Sequence, residues 1–280
     1  MIEYSDKMNK CQPVRIKDNF LVVSSFDNDL SWIKARTDKY CVYERGTQTL
    51  DSYGLKPEKC FKTPNVGYNI YDYLTYIIDN YQDLPECTLF VKGNIFPRHI
   101  SEENFDKISN GNIFMPIIEP GRHVCSWPMS AMISDTMYFE LNTSWYLNHH
   151  TVKYFNSFNE FLRFIYTNPL LPKYVAFAPG ANYVVPRQNV LRVPKVVYEN
   201  LRHFISYIDL PGEAHILERA LPIIWTSGYT FSTNILNSVM QIDDRPINKK
   251  RVRTWRDYMD GCEYRAQELG ARIMSFLHFW

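Results

Sequence analysis

Glycine is scarce in this chain, at 11 of 280 residues, where a usual share is roughly 7%. So few glycines leave little for a Gly-rich phosphate loop, so any phosphate falls to side chains and a few turn amides. Net charge is also lacking: 31 Lys+Arg stand against 30 Asp+Glu, for a formal +1. That balance argues against a nucleic-acid binder held by overall positive charge, while leaving room for a local basic patch. No apolar stretch reaches the roughly 18 residues of a membrane span, so none is expected. The start, MIEYSDKMNKCQPVRIKDN, has no apolar core behind a basic end, so no signal peptide is expected. The six cysteines (Cys11, Cys41, Cys60, Cys87, Cys125, Cys262) form no C-x-x-C pair. They read as free thiols in a reducing, cytoplasm-like compartment. The seven histidines form no H-E-x-x-H motif and no pair four residues apart, so a zinc site is not expected. For His149-His150 the sequence names no partner.

What the chain has in excess is aromatic side chains: 17 Phe, 20 Tyr and 6 Trp, 15% of the residues. Rings at that density exclude a disordered or collagen-like chain. They suit a crowded core or a sugar site equally well. Apolar runs at 20–25 (FLVVSS), 40–44 (YCVYE) and 88–92 (TLFVK) read as buried strands,. Between the last two, Tyr71, Leu74, Ile77, Ile78 and Tyr81 recur at helical spacing, and Asp83-Leu84-Pro85 ends that helix. Strand, helix and strand in this order predict a mostly parallel sheet with helical crossovers. Residues 96–150 read as insertions over the sheet. Further helices are expected at 157–166, 187–191, 194–208 and 213–225, with a turn and strand at 177–186. No linker or repeat divides the chain, so residues 1–280 read as one domain. Ligands of open α/β sheets sit at the carboxyl ends of the strands, which places Ser24 to Asp29, Glu44 to Gly46 and Lys92 to Asn94 around one crevice.

Four segments in register carry a resemblance: VVSSFDNDLSW (22–32), NVGYNIYDYLTYIIDNYQDLPECTLFVKG (65–93), FAPGANYVVPRQNVLRVPKVVYENL (177–201) and HILERALPIIW (215–225). Together they resemble a family of uncharacterised glycosyltransferase-like proteins with YNEDLSWL, FAPGAQFAVSRE and ERLW blocks, over residues 20–226. Length and aromatic character also look like chloroviral xylosyltransferases that decorate a capsid-protein glycan. The resemblance implies a GT-A-like fold, with a nucleotide-sugar half at about 20–95 and an acceptor half at about 96–280. It implies a transfer from a UDP-sugar, UDP-xylose in the closer match, to a glycan hydroxyl such as that of fucose, in the cytoplasm of a host cell; the base candidate Glu218 points to inversion. The partners are then the nucleotide sugar and a glycan or glycoprotein, with no nucleic acid. A non-catalytic carbohydrate-binding or capsid-assembly module is the alternative.

Such chemistry needs a base for the acceptor hydroxyl, an anomeric carbon free to gain positive character, and neutralisation of the leaving diphosphate. The nucleotide-sugar candidates are Ser24, Ser25, Phe26, Asp27, Glu44, Gly67, Gly93, Asn94 and Arg98. For Asp27 the structural alternative is a helix cap, for which Asn28 and Asp29 also qualify. Asn94 stands where relatives tend to have Asp, and Lys92-Gly93-Asn94 is no Asp-x-Asp motif, so a divalent metal is not expected there. Arg98 and His99, or the cluster Lys249, Arg251 and Arg253, would then meet the diphosphate; a solvated charged face is the alternative for the cluster. Glu218 is the family-implied base. Its alternative is a helix-surface carboxylate paired with Arg219 or Arg202, with Asp209 and Glu213 as substitute bases. Asn182, Tyr183, Arg187 and Trp225 are the acceptor-side candidates, and Trp127 is a further ring for sugar stacking. The alternative for Arg187 is a salt bridge at a helix start, and for most rings a place in the core.

Overall fold

Strand β1 (Phe20–Ser25) is buried along nearly its whole length, and its side chains divide by parity between two apolar cores. Leu21 and Val23 join one core, Val22 the other, as the two-residue period of a strand requires. In the computed structural model, which describes residues 13–120, 132–133, 137–237 and 246–247, β1 is followed by α1 (Trp32–Arg36), β2 (Tyr40–Glu44), β3 (Cys60–Lys62), α2 (Tyr68–Asp79) and β4 (Cys87–Lys92). There follow α3 (Glu102–Ile108), β5 (Met115–Pro116), β6 (Met132–Ile133), β7 (Tyr138–Leu141), α4 (Phe158–Ile165), β8 (Tyr174–Phe177) and β9 (Tyr183–Pro186). Helices α5 (Arg187–Leu191), α6 (Lys195–Ile205), α7 (Gly212–Thr226) and α8 (Thr233–Leu236) complete it.

The main sheet has six strands in the order β3-β2-β1-β4-β9-β5. β3, β2, β1 and β4 run parallel, while β9 is antiparallel to both β4 and β5. One face packs Leu21, Val42, Leu89 and Val91 against Ile33 of α1 and Phe105 of α3. The other packs Val22, Cys41 and Phe90 against α2, α4, α6 and α7. Burial on both faces explains why the parallel strands read as continuous apolar runs. The expected class, a mostly parallel sheet flanked by helices in a Rossmann-like, GT-A-like arrangement, is the one the chain adopts.

Two sequence expectations are refined. Helix α2 buries Ile70, Tyr73, Leu74 and Ile77, and the same face carries Asn69 and Asp72; Tyr71 and Tyr81 are only half-buried at its margin. The 96–150 region is more than a cover: β5 extends the main sheet, and β6 and β7 join β8 in a three-stranded antiparallel sheet. Cys41, Cys60 and Cys87 are free thiols. No helix among the described residues is long and apolar enough to cross a membrane. The cluster Lys249, Arg251 and Arg253, together with Trp127, lies outside the described residues.

Candidate functional site

The strand order reverses at β1. The chain moves outward to β2 and β3, then returns through α2 to β4 on the other side of β1. The segments that follow the carboxyl ends of β1 and β4 therefore border a crevice, the usual ligand position in open α/β sheets. A cavity of about 290 Å³ occupies it, lined by Ser24, Phe26, Asn28, Arg45, Lys92 and Asn94 from the strand ends, with Asn65, Tyr68, Arg98, Asp209 and Leu210 closing it. Three cations thus face one carboxylate.

Each side of the cavity is held in place. Arg45 follows β2, and its Nε lies 3.2 Å from Asp72 Oδ2, a carboxylate with no solvent exposure. Ser24 Oγ donates to the same oxygen at 2.5 Å, and Thr63 Oγ1 donates to Asp72 Oδ1 at 3.0 Å. Burial pushes the Asp72 carboxyl up to about 7, although the Arg45 charge and the two hydroxyl donors oppose the rise,. The Arg45 guanidinium lies 5.9 Å from the Phe26 ring and 5.8 Å from the Tyr68 ring. Lys92 ends β4 with only 8% exposure. Its Nζ sits 4.5 Å from the Tyr68 ring centre and 3.3 Å from the Tyr68 hydroxyl. Among the described residues no carboxylate pairs with it.

Tyr68 owes its position to two consecutive left-handed residues, Gly67 at φ 62° and Tyr68 at φ 61°. For a bulky side chain that conformation is an outlier, and such strain costs on the order of 1–3 kcal/mol. Gly67 N–H donates to Ile208 O at 3.0 Å and Tyr68 N–H to Asp209 O at 3.2 Å, so the loop after α6 clamps the strained pair and brings Asp209 to the cavity. A Cβ on Gly67 would come within 2.7 Å of Ile205 O, which explains the glycine. Gly93 N–H donates to Ser24 O at 2.7 Å, and a Cβ there would strike Asn28 Oδ1 at 2.7 Å. Next to it, Asn94 Oδ1 is buried with no hydrogen-bond partner, an acceptor turned out of solvent beside the cavity. Phe26, 48% exposed, offers a ring face at the mouth.

The cavity does not suit the divalent cation that GT-A-like enzymes commonly use. Among the described residues its lining holds one carboxylate and one open amide oxygen against three cations, whereas hard cations need several charged oxygens.

Other sequence candidates have structural settings. Asp27 is exposed, and its Oδ1 accepts from Thr47 N and Gln48 N, both at 2.7 Å; it braces the loop after β2 rather than capping α1. Glu44 accepts from Asp27 N, Gly46 N and Gln48 Nε2, which completes the same brace. Ser25 is fully buried. Asn182 Oδ1 accepts Lys92 N at 2.9 Å, and its Nδ2 donates to Pro179 O; it bolts β9 to the end of β4 and has no exposed surface. Tyr183 and Trp225 are likewise fully buried, at 5.7 Å from each other, with Trp225 stacked on Phe90. These two rings are core and cannot touch an acceptor. Arg187 is corrected too: β9 runs antiparallel to β4, so Pro186 faces Cys87 and Arg187 sits at the opposite end of the sheet, paired with Glu86 at 2.7 Å.

Glu218 lies in α7 inside a charged network. Its Oε1 accepts Gly180 N at 2.5 Å, its Oε2 accepts Arg219 Nη1 at 2.9 Å, and His215 Nδ1 is 3.9 Å away. Burial alone would raise its carboxyl, but the neighbouring His215, the Arg219 charge and the Gly180 amide outweigh it and hold Glu218 at about 2. A carboxylate so stabilised is a weak proton acceptor at neutral pH. Arg219 continues the network to the buried Glu140 of β7 and lies over the Tyr146 ring. Glu218 therefore ties the 178–182 turn to α7, and the base role implied by the resemblance does not fit its setting. Glu213 is spent as well: Oε1 accepts Lys153 N and Tyr154 N, and Oε2 accepts the Tyr207 hydroxyl. The partner of His150 proves to be His215, with ring centres 4.2 Å apart.

The sequence places Arg45 and Lys92 near the crevice without indicating a role for either, and it does not mark Tyr68, Asn65 or Asp72 as site residues. A signal existed for Asp72, a carboxylate in the apolar stripe of a helix. None existed for Tyr68, whose position depends on the loop at 208–209.

The family model described as "Protein of unknown function (DUF3431)" matches residues 21–238, and the chain belongs to this family. No curated protein and no solved structure matches.

Proposed function

We propose that the protein is a glycosyltransferase that holds a nucleotide-sugar diphosphate in the cavity between β1 and β4. The observation that carries this reading is Lys92, a nearly buried ammonium with no carboxylate partner among the described residues. An unpaired buried charge is costly, and beside Arg45 and Arg98 it is best balanced by an incoming dianion. Phe26 offers a face for the nucleobase, and Asn94 Oδ1 an acceptor for a base N–H or sugar hydroxyl.

In this mechanism Asp209 takes the proton of the acceptor hydroxyl, whose oxygen forms a bond to the anomeric carbon. The bond from that carbon to the β-phosphate oxygen breaks, and its electron pair leaves with UDP. Arg45, Lys92 and Arg98 neutralise the growing charge in place of a metal. A single displacement of this kind inverts the anomeric centre. The resemblance adds UDP-xylose as donor and a glycan fucose as acceptor.

The test is thermal stabilisation by UDP, followed by UDP release from UDP-xylose, UDP-glucose and UDP-galactose with and without chelator. Stabilisation by UDP and chelator-resistant turnover of one donor support the reading. No stabilisation by UDP, or loss of all turnover in chelator, refutes it as stated. Glycan binding without any response to UDP would instead fit a non-catalytic carbohydrate-binding or capsid-assembly module.

A further inference from the structure

A second cavity, of about 360 Å³, lies at the other end of α7. Leu210, just before that helix, borders the first cavity, and Ser227 and Gly228, just after it, border the second. At 1.5 Å per residue, the 15 residues of α7 separate the two by about 20 Å. The size falls in the roughly 300–1,000 Å³ range of small-molecule sites.

Its walls are built. Thr167 N–H donates to Thr230 O and Ser232 N–H to Ile165 O, both at 2.9 Å, and Tyr166 and Phe231 form a β-bridge. These bonds fix three rings around the space: Tyr166 stacks on Phe231 at 5.1 Å and meets Tyr229 at 5.2 Å. Tyr166 is 2% exposed; among the described residues its hydroxyl makes no well-formed hydrogen bond, and Ser227 is its hydrogen-bonding neighbour. Both hydroxyls belong to cavity-lining residues, and a buried hydroxyl with an incomplete set of partners is expensive in a finished core.

The chemistry of the lining selects the ligand. Among the described residues no carboxylate borders the cavity, so a cation finds no counter-charge. The carboxyl end of α7 closes one side and carries the negative end of the helix dipole, which disfavours anions. The one cation of the described lining, Arg192, donates to Trp225 O at 3.3 Å, so its charge is set against the negative end of α7. What remains is aromatic faces interleaved with the hydroxyls of Tyr166, Ser227, Tyr229 and Thr230, a lining for a molecule that is apolar on its faces and hydroxylated at its edges.

We infer that this cavity is a binding subsite for a neutral saccharide unit, distinct from the nucleotide-sugar cavity. The inference extends the sugar reading of the first cavity but stands on different residues, so each can fail alone. The experiment is saturation-transfer NMR on the full chain with the methyl glycosides of D-xylose, L-fucose, D-galactose and D-glucose, with cyclohexanol as an apolar probe. At least one glycoside should receive saturation on its ring protons. Tyr229→Ala should weaken its binding about 3- to 10-fold, the range of one lost aromatic contact. Ser227→Tyr, which fills the space, should abolish it, and Arg45→Ala should leave it intact. The inference is overturned if no glycoside receives saturation, if binding survives Ser227→Tyr, if cyclohexanol alone binds, or if Arg45→Ala removes the signal. UDP stabilisation measured on the same variants reports the first cavity separately: it should persist in Ser227→Tyr and weaken in Arg45→Ala.

Discussion

Replacing Glu218 by Gln distinguishes an anchor from a base, because the two roles predict opposite patterns of stability and rate. The native carboxyl is held at about 2, against an ordinary value near 4.5. A folded-state value below the unfolded one means that the unfolded chain binds the proton more readily at low pH. The contribution is therefore fully present above about pH 4.5 and lost as pH falls toward 2. At 1.36 kcal/mol per unit the difference amounts to roughly 3 kcal/mol. With only 15% of the side chain exposed, little is lost to solvent screening. The substituted amide would keep an acceptor for Gly180 N–H but would turn an N–H₂ toward Arg219 or His215. Urea unfolding should show Glu218→Gln less stable by about 3 kcal/mol at pH 7, which for a chain of this size is about 6–12 °C in Tm. The gap to wild type should narrow steadily between about pH 4.5 and pH 3. UDP release, measured below the melting temperature, should fall less than about tenfold, whereas loss of a general base costs about 10²–10⁴. Unchanged stability together with a hundredfold or greater loss of rate would make Glu218 the base and refute this reasoning.

Asp209→Asn should lower turnover by about 10²–10⁴ while UDP still stabilises the protein; turnover within a factor of three of wild type would remove Asp209 from the chemistry. Lys92→Met should leave the melting temperature unchanged or raised, since it deletes a buried charge that has no carboxylate partner among the described residues, and should weaken UDP binding by about 10- to 100-fold, as expected for one charge-assisted hydrogen bond. Calorimetric titration checks it, and UDP affinity equal to wild type would defeat the assignment. Trp225→Ala should cost about 3–5 kcal/mol in urea unfolding, consistent with a core ring. The His150 imidazole is held down at about 4, by burial first and then by the charges of His215, His149 and Arg219. Its contribution to stability is thus present above its unfolded value near 6.5 and lost as pH falls toward 4,, and His150→Phe should flatten that part of the profile.

Most of the fold was legible because burial on two faces leaves a plain mark. β1, β2 and β4 are apolar runs, and α6 and α7 are stripes bounded by prolines at 194 and 211. The antiparallel part was not. β5 and β6 have two residues each and β8 four, too few for a period to emerge, and their pairing is set by contacts distant in sequence. The same limit governed the site. Strand ends can be read from sequence, so the neighbourhood of Ser24, Arg45 and Lys92 was found. The roles within it follow from tertiary accidents: a left-handed Tyr68 set by Ile208 and Asp209, and a buried Asp72 that turns Arg45. The acceptor-side block misled for a related reason. Asn182, Tyr183 and Trp225 meet structural needs that have nothing to do with a ligand, the seam between antiparallel β9 and parallel β4 and the ring stack beneath it.

The near-neutral charge of the whole chain and the cationic cavity are two parts of one arrangement. A total of +1 gives no long-range attraction for polyanions, so on the proposed function selection for a phosphorylated ligand must come from a few desolvated cations at short range. Burial makes such cations effective, because the local dielectric is low, but it also makes them expensive in the unliganded protein. Asp72 offsets Arg45 only in part, since its own burial holds its carboxyl at about 7 and leaves it partly protonated near neutral pH. Among the described residues Lys92 is offset only by the Tyr68 ring and hydroxyl. Among the described residues the cavity lining therefore carries more cations than carboxylates, and on the proposed function a diphosphate would balance them on binding. On the proposed function, the charge that a metal would bring with a nucleotide is instead built into the fold, at the cost of a strained Tyr68 and a buried ammonium.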